Sequence, residues 1–147
     1  MRHYLVVANQ TLGQPQLIEK LQACMALGPS RFFLLVPATH AHDRIRFSPA
    51  EAYAIAQHRL DGALVRLRRL GADVHGEVGD PSPIVAIGDV LRQREFDELI
   101  LSTLPPGPSQ WLRRGVPDGV ERLFHMPVTL VVGPAEPAST PPLEVAT

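Results

Sequence analysis

A chain of 147 residues with 45% hydrophobic content can build one core without disulfide or metal staples, which bounds it to a single domain. Its formal charge of −1 excludes a general nucleic-acid binder, which needs a strongly basic face. Cys24 is alone, which excludes a disulfide framework and a cysteine-based metal site.

The first strand is predicted over His3–Ala8 and runs directly from the amino terminus, which carries no signal-peptide pattern. A helix follows near Gln14–Leu27, with Leu17, Leu21 and Cys24 on one stripe, so Cys24 reads as a small buried hydrophobe. Arg31–Pro37 is the second strand. Ser48-Pro49-Ala50-Glu51 is a capping box that opens a second helix with proline at its first position. The apolar stripe of that helix is Ala52, Ala56, Leu60, Ala63, Leu67 and Leu70, and Gly71 stops it. A third strand over Asp73–Val78 leads through Gly79-Asp80-Pro81 to a helix capped by Asp80 or Ser82, burying Ile84, Ile87 and Leu91. Glu98–Ser102 is the fourth strand. A short helix over Val116–Phe124 turns Val120, Leu123 and Phe124 inward, and Pro127–Val132 is the last strand.

The strands are apolar almost throughout rather than alternating, as in a parallel sheet covered on both faces. The chain therefore reads as a three-layer α/β sandwich with an open five-stranded parallel sheet and right-handed crossovers. Residues 134–147, Pro-rich and without a periodic face, are expected to form a disordered tail beyond a domain spanning 1–133. No apolar run approaches the ~20 residues of a membrane helix, so a cytoplasmic location without membrane contact is expected.

Ligands on such sheets bind beyond the carboxyl ends of the strands, at the switch point. Ala8–Thr11, Pro37–Asp43 and Ser102–Ser109 supply that edge. The loop after the fourth strand has Ser102, Thr103 and Gly107 where a phosphate would sit, but Pro105, Pro106 and Pro108 have no N–H to donate. Asn9 has two readings, an Asx turn after the strand or a hydrogen bond to a ribose or base. His40-x-His42-Asp43 lacks an identifiable third ligand, so solvated loop histidines are the simpler reading. His58 is placed on the polar side of its helix beside Arg59, His75 on the outer face of an edge strand, and His125 at a helix end. Arg66, Arg68 and Arg69 suit a helix C-terminus, with an anion patch as the sharper alternative. Trp111 anchors either the core or a protein interface. No Ser-His-Asp or Cys-His arrangement is present in local motifs, and the acids of a phosphoacceptor domain are missing after the first strand.

Gly79-Asp80-Pro81 followed by Ile84, Ala86 and Ile87, together with Pro127-Val128-Thr129-Leu130-Val131-Val132, resembles the universal stress protein family over about residues 2–133. The family's phosphate motif, Gly-x2-Gly-x9-Gly-[Ser/Thr], keeps its spacing here but not its residues. Ser102 stands at the first glycine, Pro105 at the second, Gly115 at the third and Val116 at the hydroxyl residue, and Asn9 replaces the family's aspartate. The resemblance implies strand order 3-2-1-4-5, a nucleotide-binding (Rossmann-like) fold of the α-hydrolase type, and a homodimer through the last strand. It also implies a binding site from Ala8, Asn9, Val36, Pro37, Leu101, Ser102, Thr103, Pro105, Gly107, Gly115 and Val116.

Physics argues against the triphosphate pose. Val116 deletes a hydroxyl at the helix N-terminus, and Asp118 already supplies the negative charge that its dipole favours, although Arg113 and Arg114 offset part of this if they face the cleft. The expectation is a stress-response regulatory domain without catalytic or metal residues. It would bind a small ligand, with ATP or AMP as weak candidates in a non-standard pose. The alternative is an adaptor or dimerisation domain that uses the proline loop and Trp111 as its protein-binding surface. A nucleotide hydrolase has the least support.

Overall fold

The computed structural model describes residues 1–38, 48–104, 111 and 115–133. Within them the chain alternates β1 (Arg2–Val7), α1 (Pro15–Leu27), β2 (Ser30–Pro37), α2 (Pro49–Arg69), β3 (Val74–Gly79), α3 (Pro83–Leu91), β4 (Glu98–Thr103), α4 (Val116–Phe124) and β5 (Val128–Val132). The strands form one parallel sheet in the order β3-β2-β1-β4-β5. The expected doubly wound architecture and strand order are thus both present. His40, His42, Asp43, Pro105, Gly107, Arg113, Arg114 and the 134–147 segment lie outside the described residues.

Side chains alternate across the sheet, and both faces are covered. Tyr4, Val6, Phe32, Leu34 and Ile100 pack with Leu17, Leu21, Ala56 and Leu60 of α1 and α2. Leu5, Val7, Phe33, Leu35, Leu99 and Leu101 pack with Ile87, Val90, Val116 and Val120 of α3 and α4. Every central strand is therefore apolar at successive positions, because each one serves two cores.

The local signals act as read. Ser48 and Glu51 form the reciprocal capping box at the start of α2. Ser82 caps α3, while Asp80 Oδ1 accepts from the Ser82 N–H at 2.9 Å, so both candidate cap residues are used. Cys24 is buried on α1 with Leu17 and Leu21.

Three apolar placements are corrected. Leu70 is 42% exposed, because α2 ends at Arg69 and the following residue leaves the helical stripe. Leu123 is 57% exposed, and Phe124 takes the inward position toward Gly88 of α3. β5 is not covered throughout; it is an edge strand, with Leu130 and Val132 exposed.

The seat of α2 on the sheet sets up the site. Arg68 Nη2 donates to Val74 O at 2.9 Å. A Cβ on Gly76 of β3 would lie 2.5 Å from Leu34 O and 2.8 Å from Leu60 Cδ1, so only glycine permits this close approach.

Candidate functional site

β1 and β4 lie side by side, and their chains leave toward opposite helical layers, so the switch point opens at their carboxyl ends. The expected site residues Ala8, Asn9, Val36, Pro37, Leu101, Ser102, Thr103 and Val116 are brought to this end of the sheet and are all buried. Gly115 is exposed and takes a left-handed conformation (φ 70°) ahead of α4, a backbone that favours glycine.

Asn9, in the turn after β1, is a structural cross-link. Its Nδ2 donates to Pro37 O at 2.7 Å, tying β1 to the end of β2, and its Oδ1 accepts from Arg59 of α2. Both roles use the dual donor and acceptor character of an amide.

Ser102 and Thr103 point to opposite faces. Ser102 shares the face of Ile100 and meets Thr11, hydroxyl to hydroxyl at 2.5 Å, which closes the gap between β4 and the β1–α1 turn. Thr103 shares the face of Leu101, is 2% exposed, and its Oγ1 has no hydrogen-bond partner among the described residues. A buried hydroxyl without a partner costs roughly 1–3 kcal/mol, and it lies at the end of β4 where the ligand crevice is expected. Gln14 lies against Gly133, where a Cβ would fall 1.9 Å from Gln14 Oε1.

The sequence reading missed Arg59. It placed His58, correctly, on an exposed face, but its neighbour turns inward to Asn9. Burial lowers the pKa of the Arg59 guanidinium from its ordinary value. The detectable signal was a period: Arg59, Gly62 and Arg66 are spaced i, i+3 and i+7, one face of a helix. The arginine cluster at the end of α2 divides. Arg68 reaches Val74 O, whereas Arg66 Nη1 reaches back to Gly13 O at 3.3 Å. Arg59, Gly62 and Arg66, with Asn9, Gln10 and His58, line a cleft of about 400 Å³ between α2 and the β1–α1 turn.

The remaining candidates are placed as follows. His75 is exposed on the edge strand β3, 3.7 Å from Asp73. His125 caps the end of α4 in a left-handed conformation. Trp111 packs against the α3/α4 core, in agreement with the core-anchor reading. Among the described residues no group of three metal-ligating side chains converges, and no helix is long and apolar enough to cross a membrane.

The chain is an open, doubly wound α/β sheet with polar residues gathered at its switch point. More particularly, the fold is that of the universal stress proteins. A universal stress protein in complex with cAMP superimposes with a TM-score of 0.59, at 18% identity, over 88% of this chain and 96% of that one. A universal stress protein family member from Burkholderia pseudomallei gives 0.59 at 14% identity, over 88% and 95%. One from Arabidopsis thaliana with AMP bound gives 0.60 at 16% identity, over 94% and 97%. No family model matches the sequence, and no curated protein matches it significantly.

Proposed function

We propose that this chain is a regulatory domain of the universal stress protein type, with a degenerate phosphate motif, that binds a small ligand at the carboxyl edge of its sheet. The residues assigned to that site are Ala8, Asn9, Val36, Pro37, Leu101, Ser102, Thr103, Pro105, Gly107, Gly115 and Val116. The observation that carries the reading is the buried Thr103 hydroxyl, without a partner among the described residues, at the switch point beside Asn9 and Ser102. The structural neighbours with cAMP and AMP bound favour an adenine nucleotide with one phosphate. Val116 and Asp118 at the start of α4 disfavour a triphosphate there, the first by lacking a hydroxyl and the second by its charge.

Thermal unfolding with AMP, cAMP, ATP and adenosine tests this reading. A ligand with a Kd of ~10 μM adds ~2.7 kcal/mol at 1 mM, and AMP or cAMP is expected to exceed ATP. If none of the four moves the transition, the nucleotide reading is lost.

The exposed Leu130 and Val132 on the unpaired edge of β5 support a second reading, a homodimer or adaptor through the last strand. Light scattering behind size exclusion decides it: a mass near twice 16.1 kDa that falls to one copy in Val132→Lys supports the edge, and a single copy throughout removes it.

A further inference from the structure

The cleft between α2 and the β1–α1 turn is lined by cationic side chains. Arg59 and Arg66 stand two helical turns apart on one face of α2, and His58 stands beside them. No carboxylate of the described residues lines the space. Asp61, one position from its floor, is directed instead to Gln57 Nε2 at 2.9 Å. The recorded partners of Arg59 and Arg66 are both uncharged, the Asn9 amide oxygen and the Gly13 carbonyl. A half-buried guanidinium is ordinarily paired with an acid. Arg59 is half-buried and Arg66 exposed, and among the described residues neither meets an acid in the cleft they share.

Gly62 supplies a separate observation. It lies in the interior of a 21-residue helix, where glycine is less stable than alanine. A Cβ at this position would meet nothing within 4 Å. No packing contact asks for a glycine, and its effect is to leave a hollow between the two arginines. Opposite it is the second glycine of the cleft, Gly13.

We propose that this cleft is a binding site for a small phosphorylated molecule, with its phosphate held by Arg59 and Arg66 over Gly62 and its organic part against Leu12 and Ala63. Guanidinium groups match phosphate oxygens in geometry and charge. A cleft of about 400 Å³ suits a sugar phosphate better than a peptide or a nucleic-acid backbone, which need an extended groove. The site lies on the α2 side of Asn9, away from Thr103 and α4, and does not depend on a nucleotide at the β1–β4 crevice.

The test is calorimetric titration of the full chain with ribose 5-phosphate, which has no base for the crevice to recognise, and with ribose as control. Saturable binding of the phosphate ester and none of ribose is expected. Arg66→Gln should weaken binding by about tenfold or more, the scale of one charge-assisted hydrogen bond. Arg69→Gln, which removes the same charge from the same helix outside the cleft, should leave it unchanged. Gly62→Ala should weaken binding while raising the melting temperature, a combination that general destabilisation cannot produce. Absence of saturable binding, equal loss in Arg66→Gln and Arg69→Gln, or unchanged binding in Gly62→Ala would each overturn the site. An AMP response that survives in Arg66→Gln alongside failed ribose 5-phosphate binding would retain the crevice and remove the cleft.

Discussion

Two polar corners occupy the same edge of the sheet and are built on opposite terms. At the β1–β4 junction the groups are neutral: Thr11 meets Ser102, while Gln14 Oε1 and Thr103 Oγ1 are buried without a partner among the described residues. At the β1–β2 side the groups are charged and turned toward a cleft: Arg59 is drawn in by Asn9, Arg66 folds over Gly13, and Gly62 leaves the space between them empty of side chains. Thr11 and Ser102 satisfy each other and tie β4 to the β1–α1 turn, whereas the Thr103 hydroxyl beside them has no partner among the described residues, so the first corner is closed only in part. Guanidinium groups only donate and cannot pair with each other, so each in the second corner is held by a neutral oxygen, Asn9 Oδ1 for Arg59 and Gly13 O for Arg66. The contrast is one of chemistry, a neutral pocket with a hydroxyl to spare against a cationic cleft.

Substitutions can break or sharpen that contrast. Gly76→Ala should have the largest effect, since its Cβ would collide with Leu34 O and Leu60 and lift α2 from the sheet. A loss of about 3 kcal/mol in urea unfolding is expected, with the open corner distorted as a result. Ser102→Ala should cost about 2 kcal/mol by stranding the buried Thr11 hydroxyl, and combining it with Thr11→Val should recover most of that loss. Equal losses in the single and double variants would show that the closed corner is not held by this pair. Gly62→Ala should go the other way and raise stability by up to about 1 kcal/mol without ligand. Arg66→Gln, at an exposed position, should change stability by less than about 0.5 kcal/mol, so any effect it has on ligand binding is free of a folding contribution.

Most of the fold could be read from the chain because its strands are buried on two faces and its helices carry their own punctuation. The runs around Tyr4–Val7 and Phe32–Val36 have no polar side to confuse the period, and Ser48 and Ser82 mark helix starts through local backbone chemistry. The misplaced residues, Leu70 and Leu123, sit at or near helix ends, where a stripe no longer specifies direction. The site was less legible. Asn9 was identified as the residue after the first strand, but its partners Pro37 and Arg59 are 28 and 50 positions away, beyond the reach of any local pattern. Arg59 looked like one more charge on a solvated face. A glycine without a structural reason inside α2 was the sign that this face was not all solvated.

The capping box at Ser48 and the Arg68 bond to Val74 fix α2 at both ends. The helix therefore behaves as an indexed shaft. One residue inserted between Ser48 and Arg59 would turn every later side chain by about 100° about the axis, carrying Leu60 and Ala63 off the sheet and both arginines out of the cleft. Point changes along α2 are open to natural variation and to engineering, whereas changes in its length are not. Insertions should be confined to the connections before Ser48 and after Leu70, and a library that varies the cleft should hold the residue count of this helix constant.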